Sequence, residues 1–416
     1  MNFFIPLFYR YLIVNLLNLL IFSKITFIVA PYLASGLSRN NILIINYDET
    51  IRSCAGLQEL KKIMNYCFMK WTNLLKKLIS TPSFSREEDK SADLLYNFLI
   101  AEGVMNVSRE GNNVWAFNRF FNPEKPTILL NSHHDTVRPN PAYSRDPFEP
   151  AEEDGKIYGL GSNDAGASVV ALAAAFLHFY NQVDFRYNLC LALTAEEEVS
   201  GRGGIESLLP LLPEIDFAIV GEPTLMQMAV AERGLMVLDC LARGKAGHAA
   251  REEGENSIYK ALKDIEWFRN YRFARVSPLF GAVKMSVTVI GAGSQHNVVP
   301  AECRFTVDVR TTECYTNQEV LSIIRENVDC EVLARSMRLK PSSISLDHPL
   351  VKIGLEMGLN YYGSPTTSDQ ALLSCPSLKM GVGDSARSHT ADEYVYIEEI
   401  AKGIEQYKTM LYKLLQ

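Results

Sequence analysis

Thr127-Ile128-Leu129-Leu130-Asn131-Ser132-His133-His134-Asp135-Thr136-Val137 is the stretch that decides the fold of this chain. Thr127 to Leu130 is apolar, too short for a helix and followed by polar residues, as a strand buried on both faces is. Leu189 to Leu193 and Phe217 to Val220 repeat the pattern, and the alanine-rich segment Gly166 to Tyr180 between them reads as a helix. Short β-branched runs alternating with helices predict a layered α/β protein with parallel strands. The histidines and the aspartate follow the strand directly, and open α/β sheets place their sites beyond the carboxyl ends of their strands.

Working outward, Ser85 followed by Glu88 is a capping-box signature for a helix that carries Leu94, Leu95, Phe98 and Leu99 and stops at Gly103. After Pro223 the rhythm changes. Alternation over Met226 to Arg243, a helix over Ser257 to Asn270, strands over Val283 to Ile290 and Glu302 to Arg310, and a helix over Asn317 to Val328 form a β/α sandwich, read as an inserted domain. Ile344 to Gln416 returns to short strands and a closing helix from Ile397. The expected organisation is a catalytic domain in two parts, 66–225 and 339–416, interrupted by an insert at 226–338.

With 416 residues and 47% hydrophobic content the chain can bury a large core. A net charge of -7 and the lack of a basic block after residue 65 give no reason to expect nucleic acid. Eight cysteines scattered singly read as reduced, cytoplasmic thiols. Residues 1–65 are read as an apolar extension outside the folded enzyme, with a natural start at Met64 or Met69. A signal peptide or membrane anchor competes with that reading, carried by Arg10, the apolar run Leu12 to Ala30 and the small residues Ala34, Ser35 and Gly36.

Four further segments concentrate ligand-type side chains: Gly161-Ser162-Asn163-Asp164 just before a helix, Glu196-Glu197-Glu198 and Glu222 at strand ends, and Ser388-His389-Thr390-Ala391-Asp392-Glu393 far along the chain. Packed carboxylates repel unless a cation is present. Two imidazoles among several carboxylates suit Zn²⁺ or Co²⁺, whereas Mg²⁺ or Ca²⁺ would want oxygen ligands only. Singly, each segment has a bland reading as a structural hydrogen bond or a solvated loop. Jointly, five ligand-bearing segments in order around one sheet have few structural explanations.

As a set these segments resemble the acetylornithine deacetylase and succinyl-diaminopimelate desuccinylase family, relatives of aminoacylases and glutamate carboxypeptidases, over about Trp71 to Gln416. Ser-His-His-Asp-Thr-Val and Gly-Ser-Asn-Asp-Ala-Gly look closest to the acetylornithine deacetylase branch. The resemblance implies a zinc-peptidase-like α/β catalytic domain with a central mixed sheet and helices on both faces, plus an inserted ferredoxin-like α+β lid and dimerisation domain. It implies two Zn²⁺, with Co²⁺ able to substitute: His133, Asp164 and Glu222 on one, Asp164, Glu198 and His389 on the other. Glu197 matches the general base that takes a proton from the metal-bridging water, and Asp135 the residue that supports His133. His248 matches a histidine sent across the dimer interface to the partner's site, and Asn297, Arg310, Thr367 and Ser368 fall where substrate is held.

Apart from the resemblance, His248 also reads as a polar residue in a turn, and Arg310 as an ion-pair partner of Asp308 or Glu313. Two departures stand out. Ala165 replaces a lysine common in the family, and His134 fills the middle of the first motif, facing away from His133. The expected activity is hydrolysis of the N-acyl amide of an amino acid, acetylornithine or its citrulline or succinyl analogues, in arginine biosynthesis. The expected partners are that small molecule and a second copy of the chain; a membrane enters only if the N-terminal run is a true anchor. The alternatives are a dipeptidase or carboxypeptidase with the same metal centre, and a non-catalytic, membrane-tethered metal-binding protein.

Overall fold

The computed structural model describes residues 69–416, so the expectations for residues 1–65 lie outside the described residues. The chain opens with helix α1 (69–79) and α2 (Asp89–Ala101), then strands β1 (Val107–Glu110), β2 (Asn113–Phe117) and β3 (Thr127–His133). Helix α3 (Ala167–Phe179) leads to β4 (Asn188–Thr194), β5 (Phe217–Val220) and β6 (Met228–Glu232). The insert follows as β7 (Gly234–Arg243), α4 (Ser257–Asn270), β8 (Lys284–Ala292), β9 (Glu302–Thr311), α5 (Asn317–Asn327) and β10 (Glu331–Ala334). The chain then returns through β11 (Ser342–Ser343), α6 (Pro349–Glu356), β12 (Tyr361–Ser364), β13 (Ser377–Lys379) and α7 (Ile397–Leu415).

The large sheet runs β1-β2-β4-β3-β5-β13-β6-β11, with β12 also paired to β6. Its centre, β4-β3-β5-β13, is wholly parallel, and its flanks are mixed. Strands β3, β4 and β5 are buried at every position, which is why their sequences run apolar and do not alternate. Period-2 geometry still sorts their side chains. Ile128, Leu130, Leu191 and Ile219 join Phe176, Phe179 and Tyr407 in the core under α3 and α7, while Leu129, Cys190, Ala218 and Val220 face a second layer with Ile205 and Leu208. Helix α3 is buried nearly all round, so it packs on the sheet and under α7 at once.

The insert is a four-stranded antiparallel sheet, β8-β9-β7-β10, with α4 and α5. Numbered within the insert, β-α-β-β-α-β in the order 4-1-3-2 is the ferredoxin-like arrangement. Strand β7 alternates between buried positions and half-buried or exposed ones, so one face meets the helices. The alternation over Met226 to Arg243 thus hides two strands: β6 belongs to the large sheet, and the crossover falls at Arg233.

One local expectation fails. Helix α2 forms, but no side-chain cap closes it. Ser85 Oγ instead donates to Asp135 Oδ2 at 2.7 Å, and Glu88 accepts from the Glu196 backbone N–H at 3.2 Å and from Asn112 Nδ2 at 2.9 Å. Tertiary acceptors and donors outcompete the local pair because these carboxylates are buried and must be satisfied.

Candidate metal centre

The four parallel strands end on one side of the sheet, and their following residues carry the site. His133 closes β3, Glu197 and Glu198 follow β4, Glu222 follows β5 and His389 lies beyond β13. Asp164 comes from the turn that opens α3.

His133 is buried, with Nε2 3.2 Å from Asp164 Oδ1 and 3.7 Å from Glu222 Oε1. Its other ring nitrogen, Nδ1, lies 3.3 Å from Asp135 Oδ1 and 3.1 Å from the Asp135 carbonyl, which presents Nε2 towards the acids. Asp135 in turn accepts from the Glu197 N–H at 3.0 Å and the Glu198 N–H at 3.2 Å. One carboxylate therefore aims the imidazole and shapes the glutamate loop. His134 faces away, with Nδ1 2.9 Å from Ser91 Oγ and Nε2 2.9 Å from the Asn112 carbonyl. Burial pushes its pKa down to about 4, so it is a neutral structural residue.

The Asp164 turn is built on close backbone approach. Gly161 has φ +74°, and a Cβ at Gly166 would sit 2.4 Å from the Gly161 carbonyl. Glu393, itself buried, accepts from the N–H groups of Gly161 at 3.0 Å, Asn163 at 2.8 Å and Asp164 at 2.9 Å. This carboxylate holds the turn from behind. Burial, then the charge of Asp164, pushes its pKa up to about 8.

His389 Nε2 lies 2.9 Å from Glu198 Oε2 and 3.7 Å from Asp164 Oδ2. Two triads result, His133-Asp164-Glu222 and Asp164-Glu198-His389, each with ligand atoms within 4.8 Å of one another and with Asp164 in both. The donor set fits a pair of metal ions, which His133, Asp164 and Glu222 would hold on one side and Asp164, Glu198 and His389 on the other. Glu197, Glu198 and Glu222 all have raised pKa values, chiefly through burial, with Glu222 pushed up to about 8. Without metal, positive charge comes from the imidazoles: the hydrogen bond to Glu198 pushes His389 up to about 9, and His133 is held above its ordinary value by Glu222, Asp135 and Asp164 in spite of burial. Carboxylates that resist ionisation until a cation arrives are the electrostatic signature of a cation site. The His389 side chain is 54% exposed, so the centre opens to solvent on that side.

The remaining expected site residues make their hydrogen bonds outside this centre. His248 is exposed, in a short bridge with Val298, and its Nδ1 accepts from the Ala250 N–H at 3.1 Å. Asn297 is its neighbour, accepting from the Ala249 N–H at 3.0 Å. Arg310 is paired with Asp308 at 2.9 and 3.2 Å, the ion-pair alternative seen in the sequence. Thr367 Oγ1 donates to the Arg233 carbonyl at 3.4 Å, and Ser368 donates to Glu232 through N–H at 2.8 Å and Oγ at 2.7 Å.

Sequence reasoning gave Glu88 only a capping role and assigned none to Glu393 or to Asp369, which is buried, accepts from Thr194 Oγ1 at 2.8 Å and is raised to about 6 by burial. The available signal was each acid's adjacency to an assigned motif: Glu393 lies four residues past His389, and Asp369 directly follows Ser368.

The profile of peptidase family M20/M25/M40 matches residues 129–413. A succinyl-diaminopimelate desuccinylase from Rickettsia bellii is 25% identical, over 83% of this chain and 96% of its own length. Among solved structures, aminopeptidase PepT from Bacillus cereus superposes with a TM-score of 0.68 at 17% identity, over 83% of this chain and 98% of its own. A dinuclear metal-binding peptidase of the M20 family from Bacillus subtilis gives 0.62 at 14% identity, over 84% and 98%.

Proposed function

Because the chain belongs to peptidase family M20/M25/M40, and is thus a metal-dependent hydrolase of amide bonds, we propose that its substrate is an N-acyl amino acid and its metal a pair of zinc ions, replaceable by Co²⁺. The observation that carries the reading is the pair of ligand triads sharing Asp164, with an uncommitted carboxylate, Glu197, beside them. Glu197 Oε2 lies 3.9 Å from His133 Nε2, too far for a hydrogen bond. When bound, the ions polarise the amide carbonyl and acidify water. The chain's own residues do the rest. Glu197 takes a proton from the attacking water at its carboxylate and delivers it to the leaving amine nitrogen. Asp135 fixes the Glu197 loop and the His133 ring together, so the base and one ligand keep their relative position.

Arg310, Asn297, Thr367 and Ser368 are the proposed substrate contacts. A guanidinium already in bidentate geometry with Asp308 can offer its outer edge to a carboxylate. His248 would serve a partner's centre in a homodimer formed through the insert. In support, β8 is an edge strand with Val289 and Ile290 61% and 54% exposed, and such an edge seeks cover. No helix among the described residues is long and apolar enough to cross a membrane, which is compatible with the cytoplasmic placement we propose.

The expected acetylornithine branch has no support from the curated relative described above, which carries a desuccinylase name. The succinyl amide of diaminopimelate therefore goes first in the assay, beside acetyl- and succinyl-ornithine, acetylcitrulline and an unblocked dipeptide. Purified chain stripped by chelator and reloaded with Zn²⁺ or Co²⁺ is expected to hydrolyse an acylated substrate only when reloaded. Turnover of the dipeptide alone refutes the N-acyl reading, and full activity in excess chelator refutes the metal centre.

A further inference from the structure

We propose that the buried pair Glu232–Lys379 is a positioning device: it fixes the loop Ser364 to Ser368 beside the metal centre and so sets how tightly substrate is held. The proposal rests on the reading that this loop contacts substrate.

Lys379 is the only buried lysine or arginine among the described residues. Its Nζ lies 3.0 Å from Glu232 Oε2 and donates to Ser364 Oγ at 3.3 Å, Thr366 Oγ1 at 3.0 Å and the Thr366 carbonyl at 3.5 Å. Glu232 receives the two Ser368 hydrogen bonds. Alternate residues of the loop, 364, 366 and 368, are thus tied to one ion pair. The pair spans neighbouring strands of the large sheet, and Lys379 stands in register with Val220, two residues before Glu222. Glu232 also ends the strand that crosses into the insert. The next residue, Arg233, donates to the carbonyls of Phe280 at 2.6 Å and of Ala282 and Arg310 at 3.4 Å, on the insert side. Glu232 thus holds the loop, and its chain neighbour Arg233 holds the root of the insert.

Stability alone is a poor reason for this arrangement. A buried ion pair is often no better than apolar residues of the same volume, and its attested value is in fixing geometry. Every remaining donor and acceptor of the pair is spent on the loop, where a shift of about 1 Å can cost up to about a hundredfold in turnover.

The test uses the full chain loaded with metal and whichever amide the wild type hydrolyses, so it survives a wrong guess at the acyl group. Lys379→Met and Glu232→Gln are expected to raise KM about tenfold, with kcat changed less and with metal per chain unchanged. Removing only the loop ends, Ser364→Ala with Thr366→Val, leaves the buried charges paired and is milder than either single variant; it is expected to raise KM at least about threefold in a chain that still folds at the assay temperature. Thr367→Val is the control for the loop itself. Wild-type KM in the folded Ser364→Ala, Thr366→Val chain, with KM raised by Thr367→Val, overturns the positioning role. Wild-type KM in both overturns the loop's part in binding and the proposal with it.

Discussion

Replacing Glu393 by Gln tests whether the metal centre depends on support from behind. The carboxylate accepts three backbone N–H groups of the Asp164 turn and touches no substrate-facing residue. Glutamine keeps one oxygen, enough for the Asn163 and Asp164 N–H groups on the Oε1 side, and turns an amide NH₂ towards the Gly161 N–H. One donor goes unpaired, at about 1–3 kcal/mol if the native group is ionised. In the metal-free chain, however, burial and the charge of Asp164 push Glu393 up to about 8. At pH 7 it is then largely protonated and already resembles glutamine. Metal offsets the Asp164 part of that penalty, while burial remains, so the carboxylate form gains weight in the loaded state. The expected result is a metal-free stability at pH 7 within about 1 kcal/mol of wild type, together with metal affinity lowered about 10–100-fold, the usual range for groups that orient ligands. Urea unfolding of the stripped chain and competition with a chromophoric chelator measure the two quantities. Affinity within about twofold of wild type would refute the reasoning, as would a loss confined to the stripped chain's stability.

Two further outcomes are expected. Glu197→Gln should lower kcat about 10²–10⁴-fold while metal per chain, read by atomic emission, stays at the wild-type value; activity within tenfold would remove Glu197 as base. His134 carries the acid sensitivity of this region. Its pKa is about 4 folded against 6.5 unfolded, so stability is fully present above 6.5, falls as pH drops and levels off below 4. The loss approaches about 3 kcal/mol as an upper limit. His134→Gln should flatten urea unfolding between pH 7 and 4.5, and equal slopes in the two chains would exclude this role.

Much of the centre was legible because its ligands are local to strand ends. A strand buried on both faces announces itself by an unbroken apolar run, and the polar residues that end it must face a site or solvent. That logic located His133, Glu197, Glu198 and Glu222. Asp164 and His389 were legible only through their company, since neither sits at a strand end of its own. Glu88, Asp369 and Glu393 were not legible in this way. The partners that tie them to the site are the N–H of Glu196, the hydroxyl of Thr194 and the turn at Gly161, each more than 100 residues distant along the chain.

What the sequence by itself determined is the chemistry: the ligand types, their order and the strands that carry them, because side-chain identity and local periodicity are properties of the chain alone. What only the tertiary structure decided is which carboxylate serves which neighbour. Ser85 and Glu88 have the spacing of a capping box and abandon it, because Asp135 and the Glu196 loop bring buried groups that need those bonds more. Arg310 chose Asp308 over Glu313, and Glu232 found Lys379, 147 positions along the chain. Burial raises the cost of an unpaired polar group, and that cost is set by the fold as a whole.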